Sequence, residues 1–388
     1  MPEANLDILQ VRPCPDPKFG DYQTTSLMTL AKERRMNPRQ LATNVLAKLD
    51  VSAWCEPPEI AGAGFINFRL KTSAIAETLE SAARGEHLFF LKAAKPQTIV
   101  VDFSSPNVAK PMHVGHIRST ILGDCLARTL RLLGHQVITD NHIGDWGTQF
   151  GKLLIGWKKH LDPAALEAHP IAEMERLYRL VNAAGEADPA VLEEARQELV
   201  KLQRGDAENL EIWRQMIALS QVEFNAIYQR LGITFDHAFG ESFYNPRLAG
   251  VVGKLREAGL VEESEGAWVF FFRETPELKD KPSIVQKSDG GFNYMTTDLA
   301  TLEYRSETWH PDEVIYVTDG RQQLHFQQLF CAFRRWRPEV STKLVHVWFG
   351  SILGEDGKPF RTRAGDTVKL ADLLDEAEIG RASCRERV

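Results

Sequence analysis

The chain has 388 residues, a hydrophobic fraction of 43%, a charged fraction of 26% and a formal net charge of −7. That length holds two or three cored domains, the composition is ordinary for a globular chain, and the acidic balance excludes recognition of nucleic acid by bulk charge. No run approaches ~18 uncharged apolar residues and the N-terminus lacks a signal-peptide pattern. The five cysteines form no CxxC pair, which argues against a zinc site and a disulfide framework and sets the expectation of a cytoplasmic protein.

Residues 1 to about 92 read as a small α+β domain. "SLMTLAKERRMN" and "PRQLATNVLAKLD" carry apolar residues at helical spacing, separated by Pro38, and "GAGFINFRL" alternates like a strand. "LKAAKPQ" reads as a linker. From about residue 96 to 377 the pattern is α/β. "TIVVDFSS" is a continuous apolar run of the kind found in a buried parallel strand. A helix follows from about Gly115 to Leu133, with Ile117, Ile121, Cys125, Leu126, Leu130 and Leu133 as its expected apolar stripe and Gly134 as its stop. "QVITDN" completes a βαβ unit, which implies a parallel sheet with ligands at the carboxyl ends of its strands.

Between about 160 and 285 the rhythm changes to a mixed, largely helical insertion. Asp188 and Pro189 fit the N-cap and first turn of a long helix, Gly205 and Asp206 interrupt it, and a second helix runs to about Leu231. "EGAWVFFFRE" reads as a strand. "DEVIYVTDG", "QQLHFQQLFCAFRRW" and "KLVHVWFGSIL" then restore strand, helix, strand. The expected fold is a Rossmann-like parallel-sheet nucleotide-binding domain with this insertion, preceded by the α+β domain.

"SSPNVAKPMHVGHIRST" places His113 and His116 one turn apart where a strand-to-helix loop opens a helix. Free N–H groups at such a helix start suit phosphate, and histidines at i and i+3 share its first turn. Each offers a donor without the full charge of lysine. Gly115 removes a side chain where an adenine or ribose could approach, and Lys110 could reach a phosphate oxygen. The four letters HVGH alone more commonly mark caps or surface residues; the strand–loop–helix setting favours a nucleotide site.

"VDFSSPNVAKPMHVGHIRSTILGD" closely resembles the signature of arginyl-tRNA synthetases, class I enzymes in which HVGH is a variant of the HIGH motif. "NHIGDWGTQFG", "FGESFYN", "YMTTDLA", "GRQQLHFQQLF" and "GEDGKPFRTRAGDTVKLADLLDEA" match the same family in the same order, and the resemblance covers residues 11 to 377. It implies ATP with Mg²⁺ as cofactor, L-arginine and arginine tRNA as partners, and a monomer without a membrane. It implies that Tyr294 and Asp298, four residues apart on one helix face, read the guanidinium with Glu241 and Gln322. Planar carboxylates suit that permanently charged fork. Asp102, Ser105, Asn107 and His113 match positions that hold the amino-acid end. "GKPFRTRAG" stands where the second class I signature, KMSKS, belongs; Lys358, Arg361 and Arg363 carry its charge and Lys110 could share the role. Phe65 and Asn67 resemble residues that recognise the tRNA elbow, although an alternating strand with Phe65 in the core is an equal reading. Trp146 in "HIGDWG" reads as packing. The resemblance also implies that tRNA binding precedes arginine activation.

The tail "EIGRASCRERV" (378–388) reads as translation of a sequencing-library adapter, so native sequence is expected to stop near Ala377. The chain then reads as a gene fragment that lacks the family's anticodon-binding domain, with a shortened start and impaired charging of tRNA. Three other readings compete: a different HxGH nucleotidyltransferase, a synthetase for another amino acid, and a non-catalytic RNA-binding paralogue. The insertion with "YMTTD", the paired acids, and the intact His113, His116, Asn107 and Asp298 argue against them in turn.

Overall fold

Both faces of a central four-stranded sheet are covered, and every pairing in it is parallel. The computed structural model describes residues 10–86, 90–350 and 369–385. The chain divides into two units, Met1–Leu91 and Lys92–Val388. In the first, β1 (Arg12–Pro13), β2 (Tyr22–Thr24), β3 (Glu59–Ala61) and β4 (Phe65–Phe68) form an antiparallel sheet in the order β1-β2-β4-β3. Helices α1 (Ser26–Glu33) and α2 (Pro38–Leu46) close it. Asn37 caps α2 through the Arg39 and Gln40 N–H groups, and Pro38 takes the first helical position, where a missing N–H costs nothing. Leu27, Leu30, Leu41, Ile66 and Phe68 make the core. A third helix, α3 (Thr72–Ala83), follows.

The second unit carries β5 (Thr98–Phe103), α4 (Val114–Leu132) and β6 (Gln136–Asp140), the expected βαβ unit. A helical group follows: α5 (Gln149–His160), α6 (Pro163–Ala168), α7 (Pro170–Ala187), α8 (Pro189–Gln203) and α9 (Ala207–Leu231). Asp188 caps α8 and Asp206 caps α9, as their positions beside Pro189 and Gly205 lead one to expect. Then come α10 (Glu241–Glu257), an antiparallel sheet of β7 (Val261–Ser264), β8 (Ala267–Phe270) and β9 (Ser283–Gln286), and α11 (Tyr294–Trp309). Strand β10 (Glu313–Asp319), helix α12 (Gln323–Trp336) and strand β11 (Lys343–Phe349) complete the parallel sheet, and α13 (Leu370–Arg385) follows. α13 runs through Ala377 without a break.

Sheet order is β11-β10-β5-β6. The chain leaves β5 toward β6 on one side and β10 toward β11 on the other. The crevice beyond the carboxyl ends of β5 and β10 is therefore the topological switch point, where such sheets bind ligands. Period-2 alternation sorts β5: Ile99, Val101 and Phe103 pack with Ala127 of α4, while Val100 packs on the side of α10, α11 and α12.

The buried face of α4 differs from expectation. Ile121 and Cys125 are exposed, and the fully covered positions are Ser119, Thr120, Gly123 and Ala127. The helix lies so close to β5 that a Cβ at Gly123 would sit 2.1 Å from the Phe103 ring. Proximity demands small residues there, and a stripe of large apolar ones would hold the helix off the sheet.

Candidate active site

The turn that leaves β5 is strained and heavily braced. Ser104, Ser105 and Ala109 all have positive φ (75°, 49° and 61°), a region that residues with a Cβ adopt reluctantly. Buried hydrogen bonds fix them. The Ser104 N–H donates to Ser119 Oγ at 2.9 Å, Thr120 Oγ1 donates to Ser104 Oγ at 2.8 Å, and Ser104 Oγ lies 2.8 Å from the Tyr228 hydroxyl. Asn141 Oδ1 accepts the Ser105 N–H at 3.0 Å, and its Nδ2 donates to Tyr228 at 3.0 Å. Ser220 Oγ accepts the Ala109 N–H at 3.0 Å. Ser220 and Tyr228 both belong to α9, so the insertion braces the loop that leads to the histidines. Val108, Ala109 and Met112 of that loop pack into the core of the helical group.

His113 is the N-cap of α4, and with His116 it forms a reciprocal cap. His113 Nδ1 accepts the Gly115 N–H at 3.1 Å, and His116 Nδ1 accepts the His113 N–H at 3.0 Å. The rings lie 3.9 Å apart. Because each Nδ1 accepts, the proton of each neutral ring sits on Nε2. Burial, with His113 alongside, pushes the His116 pKa down to about 3. Burial, Arg321 and Lys110 also hold His113 below the usual histidine range. The pair is therefore two neutral Nε2–H donors at a helix N-terminus. Gly115 is exposed, and a Cβ there would stand 2.8 Å from His113 Cε1, so the glycine lets the ring fold back into the cap.

The other half of the site is acidic. Asp298 lies one turn along α11 from Tyr294, whose side is exposed. Glu241 is the first residue of α10. Burial, then the charges of Asp298 and Asp145, push the Glu241 carboxyl up to about 8. Partial burial of its hydroxyl end, then the charges of Glu241 and Asp298, raise Tyr294 as well. The Asp298 charge is thus close enough to oppose ionisation of Glu241, and a cation at the pair relieves it. His325 of α12 hydrogen-bonds Asp298, with Nε2 2.5 Å from Oδ2, and His142 Nε2 lies 4.0 Å from Oδ1. Gln322 sits at the start of α12, one turn before His325, and makes no side-chain cap bond.

Asp102 follows the even-residue face of β5 into the interior. Its Oδ2 accepts Nη2 of the fully buried Arg305 at 2.6 Å, and Asp140 of β6 accepts the same nitrogen at 2.8 Å. Ser105 Oγ donates to Asp102 Oδ1 at 3.3 Å. Burial raises the Asp102 carboxyl against the pull of Arg305, while the two acids keep Arg305 charged. Asp145 accepts the Ser242 N–H at 2.8 Å and so caps α10, and its carbonyl accepts Trp213 Nε1 at 2.9 Å. Trp146 packs edge-on against Trp213 at 5.6 Å, in keeping with a packing role.

The expected site residues thus fall into groups. His113 and His116 are joined, Asp102 and Ser105 are joined, and Glu241, Tyr294 and Asp298 share one electrostatic neighbourhood. Asn107 is exposed beside Gly144, with which its backbone pairs. Lys110 lies over the Tyr178 ring at 5.4 Å. Lys358, Arg361 and Arg363 lie outside the described residues. In the first unit Phe65 and Asn67 share the β4 face opposite Ile66 and Phe68, but Asn67 is only 6% exposed and its Oδ1 has no hydrogen-bond partner. His142, Arg305, His325, Arg321 and Tyr228 were not singled out by sequence. His325 falls within "GRQQLHFQQLF", three residues after Gln322, and that spacing is the one sequence signal for it.

A model of the catalytic domain of class I tRNA synthetases of the arginine type matches residues 78–386, and one of the arginyl-tRNA synthetase N-terminal domain matches residues 2–70. The chain is 48% identical over 374 residues to an arginine–tRNA ligase of a Nostoc species, covering 95% of this chain and 63% of that protein. With the arginine–tRNA ligase of Rhodopirellula baltica it shares 39% identity over 452 residues, covering 95% of this chain and 67% of that one. The crystal structure of arginyl-tRNA synthetase from Plasmodium falciparum superposes with a TM-score of 0.62 at 30% identity, over 100% of this chain and 66% of that one. The chain therefore spans about two thirds of the length of the relatives it matches.

Proposed function

The chain belongs to the class I arginyl-tRNA synthetases, and we propose that it carries the catalytic site of an arginine–tRNA ligase: ATP-dependent activation of L-arginine to arginyl-adenylate, then transfer of arginyl to the 3′-terminal ribose of arginine tRNA. The observation that supports this best is a pairing within one unit: a Glu241 carboxyl held up by burial and by the charge of Asp298, and two neutral donors that open α4 after β5. One end suits a guanidinium and the other suits a phosphate under attack.

In this reading the arginine guanidinium lies against Asp298, Glu241, Tyr294 and Gln322. Asp102, Ser105, Asn107 and His113 hold the amino-acid end, so that the carboxylate faces the α-phosphate of ATP seated at His113, Gly115 and His116. As the carboxylate oxygen bonds phosphorus and pyrophosphate leaves, charge grows on the phosphoryl oxygens. The Nε2–H donors and the helix N-terminus stabilise that charge, and neither ring has to give up a proton. Lys110, with Lys358, Arg361 and Arg363, serves the leaving pyrophosphate. Phe65 and Asn67 serve the tRNA. Magnesium enters with the nucleotide; among the described residues no three His, Cys, Asp or Glu side chains come together to hold a metal. A cytoplasmic monomer is part of the same reading, and among the described residues no helix is long and apolar enough to cross a membrane.

Exchange of pyrophosphate into ATP, measured with arginine tRNA present and each amino acid in parallel, tests the assignment. Exchange that depends on arginine is expected. Exchange driven by a different amino acid overturns it.

A further inference from the structure

Asp298 is held from behind. Its Oδ2 takes a hydrogen bond from His325 Nε2 at 2.5 Å, while Oδ1 has no hydrogen bond among the described residues and lies 4.0 Å from His142 Nε2. A carboxylate that is to meet a planar guanidinium must fix its own plane, and a bond to one oxygen does so while leaving the other open. His325 comes from α12, a different element from the α11 helix that carries Asp298. Its ring packs edge-on against Phe326, its own neighbour, whose ring in turn lies 4.3 Å from His346 of β11. The donor is thus mounted on the strand–helix–strand half of the sheet.

We propose that His325 is a positioning residue for arginine: its Nε2–H sets the plane of the Asp298 carboxylate and so determines how well the site recognises the guanidinium. The inference rests on the reading of Asp298 as the guanidinium partner. A neutral ring suffices for this role. Protonation would instead neutralise Asp298 and weaken its pull on a second cation. Burial works to lower the His325 pKa, but the bond to Asp298 and its charge outweigh that and leave it raised. Among the described residues the other charged or titratable groups facing the pair are Glu241 at the start of α10, Tyr294 one turn back on α11, His142 after β6, Tyr316 on β10 and His346 on β11. Arginine should therefore bind more tightly as His325 loses its second proton.

The test is equilibrium binding of arginine and, separately, of ATP to the 388-residue chain and to His325→Ala and His325→Gln. Glutamine keeps an N–H donor near the Nε2 position and cannot take a charge. His325→Ala should weaken arginine binding by about 10- to 100-fold, the usual loss for a hydrogen bond to a charged group, with ATP binding unchanged. His325→Gln should recover most of that loss at pH 8.5 and flatten part of the fall in affinity on the acid side, the part that remains belonging to Glu241. Unchanged arginine affinity in His325→Ala overturns the inference. So does a glutamine variant no better than alanine, or an acid limb as steep in it as in the parent. If instead the unaltered chain binds another amino acid and not arginine, the proposed function itself falls, and with it this inference.

Discussion

The two ends of the site are built on opposite terms. Around His113 and His116 nearly every polar group is matched: strained backbone is braced by Ser119, Asn141, Ser220 and Tyr228, and each imidazole is fixed by a backbone N–H. Around Glu241 and Asp298 charge opposes charge, and burial together with the charges of Asp298 and Asp145 drives the Glu241 carboxyl up to about 8. In the proposed reading the first is the phosphate end, preorganised because it acts on a transition state that exists only briefly. The second is the arginine end, electrostatically incomplete until the ligand completes it.

Changes at the incomplete end should act on binding, and changes at the braced end on rate or stability. The largest effect is expected from Asp298→Asn. Breaking one partner of a desolvated charge pair costs about 3–5 kcal/mol, so the arginine KM should rise by at least ~10² while the ATP KM stays put; steady-state exchange kinetics with each substrate varied would show it. An unaltered arginine KM would erase the distinction between the two ends. Next comes His116→Ala, which should lower kcat by ~10²–10³ with little change in the ATP KM. A change confined to KM would mean that the histidines bind ground-state ATP and transition state alike.

Smaller effects sharpen the contrast. Tyr228→Phe leaves Ser104 and Asn141 short of a buried partner and should cost about 1–3 kcal/mol of stability in urea unfolding, with arginine affinity unchanged. Glu241→Gln should act through pH. A carboxyl whose folded pKa lies near 8, above its unfolded value of 4.5, is destabilising wherever it ionises sooner in the unfolded chain. Without arginine, thermal stability should therefore fall between about pH 5 and pH 8 and level off above. Glu241→Gln should remove part of that slope, and saturating arginine should remove it in the parent. His325, also raised, contributes stability that is lost as pH rises through its own folded pKa. Only the portion abolished by Glu241→Gln belongs to Glu241, and no change in slope would mean that Glu241 is not strained.

What sequence made visible was local. Asp188, Pro189, Gly205 and Asp206 announce the boundary of α8 and α9 because capping uses neighbours in the chain. The histidines at the opening of α4 and the Tyr294–Asp298 spacing were legible for the same reason. Other features depend on distance in space. The α4 stripe was misread, since only the approach of Phe103 makes Gly123 and Ala127 the buried positions. Helix α10 is masked by Pro246, which signals a break yet lies inside the helix. Arg305 reaches back 203 residues to Asp102 and nothing in its flanking residues marks it; His325 reaches 27 to Asp298 and only its spacing from Gln322 hints at it.

The bracing of the histidine loop also fixes an order of events. Ser104 meets Tyr228 across 124 residues, and Ala109 meets Ser220 across 111. During synthesis the loop leaves the ribosome long before α9 exists, and at ~5–20 residues per second the wait lasts several seconds. β5, α4 and β6 can pair in that interval, and Ser119, Thr120 and Asn141 can already hold Ser104 and Ser105, but Ala109 waits for Ser220 and the buried Ser104–Asn141 cluster waits for Tyr228. The histidine loop is therefore among the late parts of the molecule to mature, a latecomer on an early scaffold. An intermediate stalled before α9 packs would have a parallel sheet and no working phosphate site.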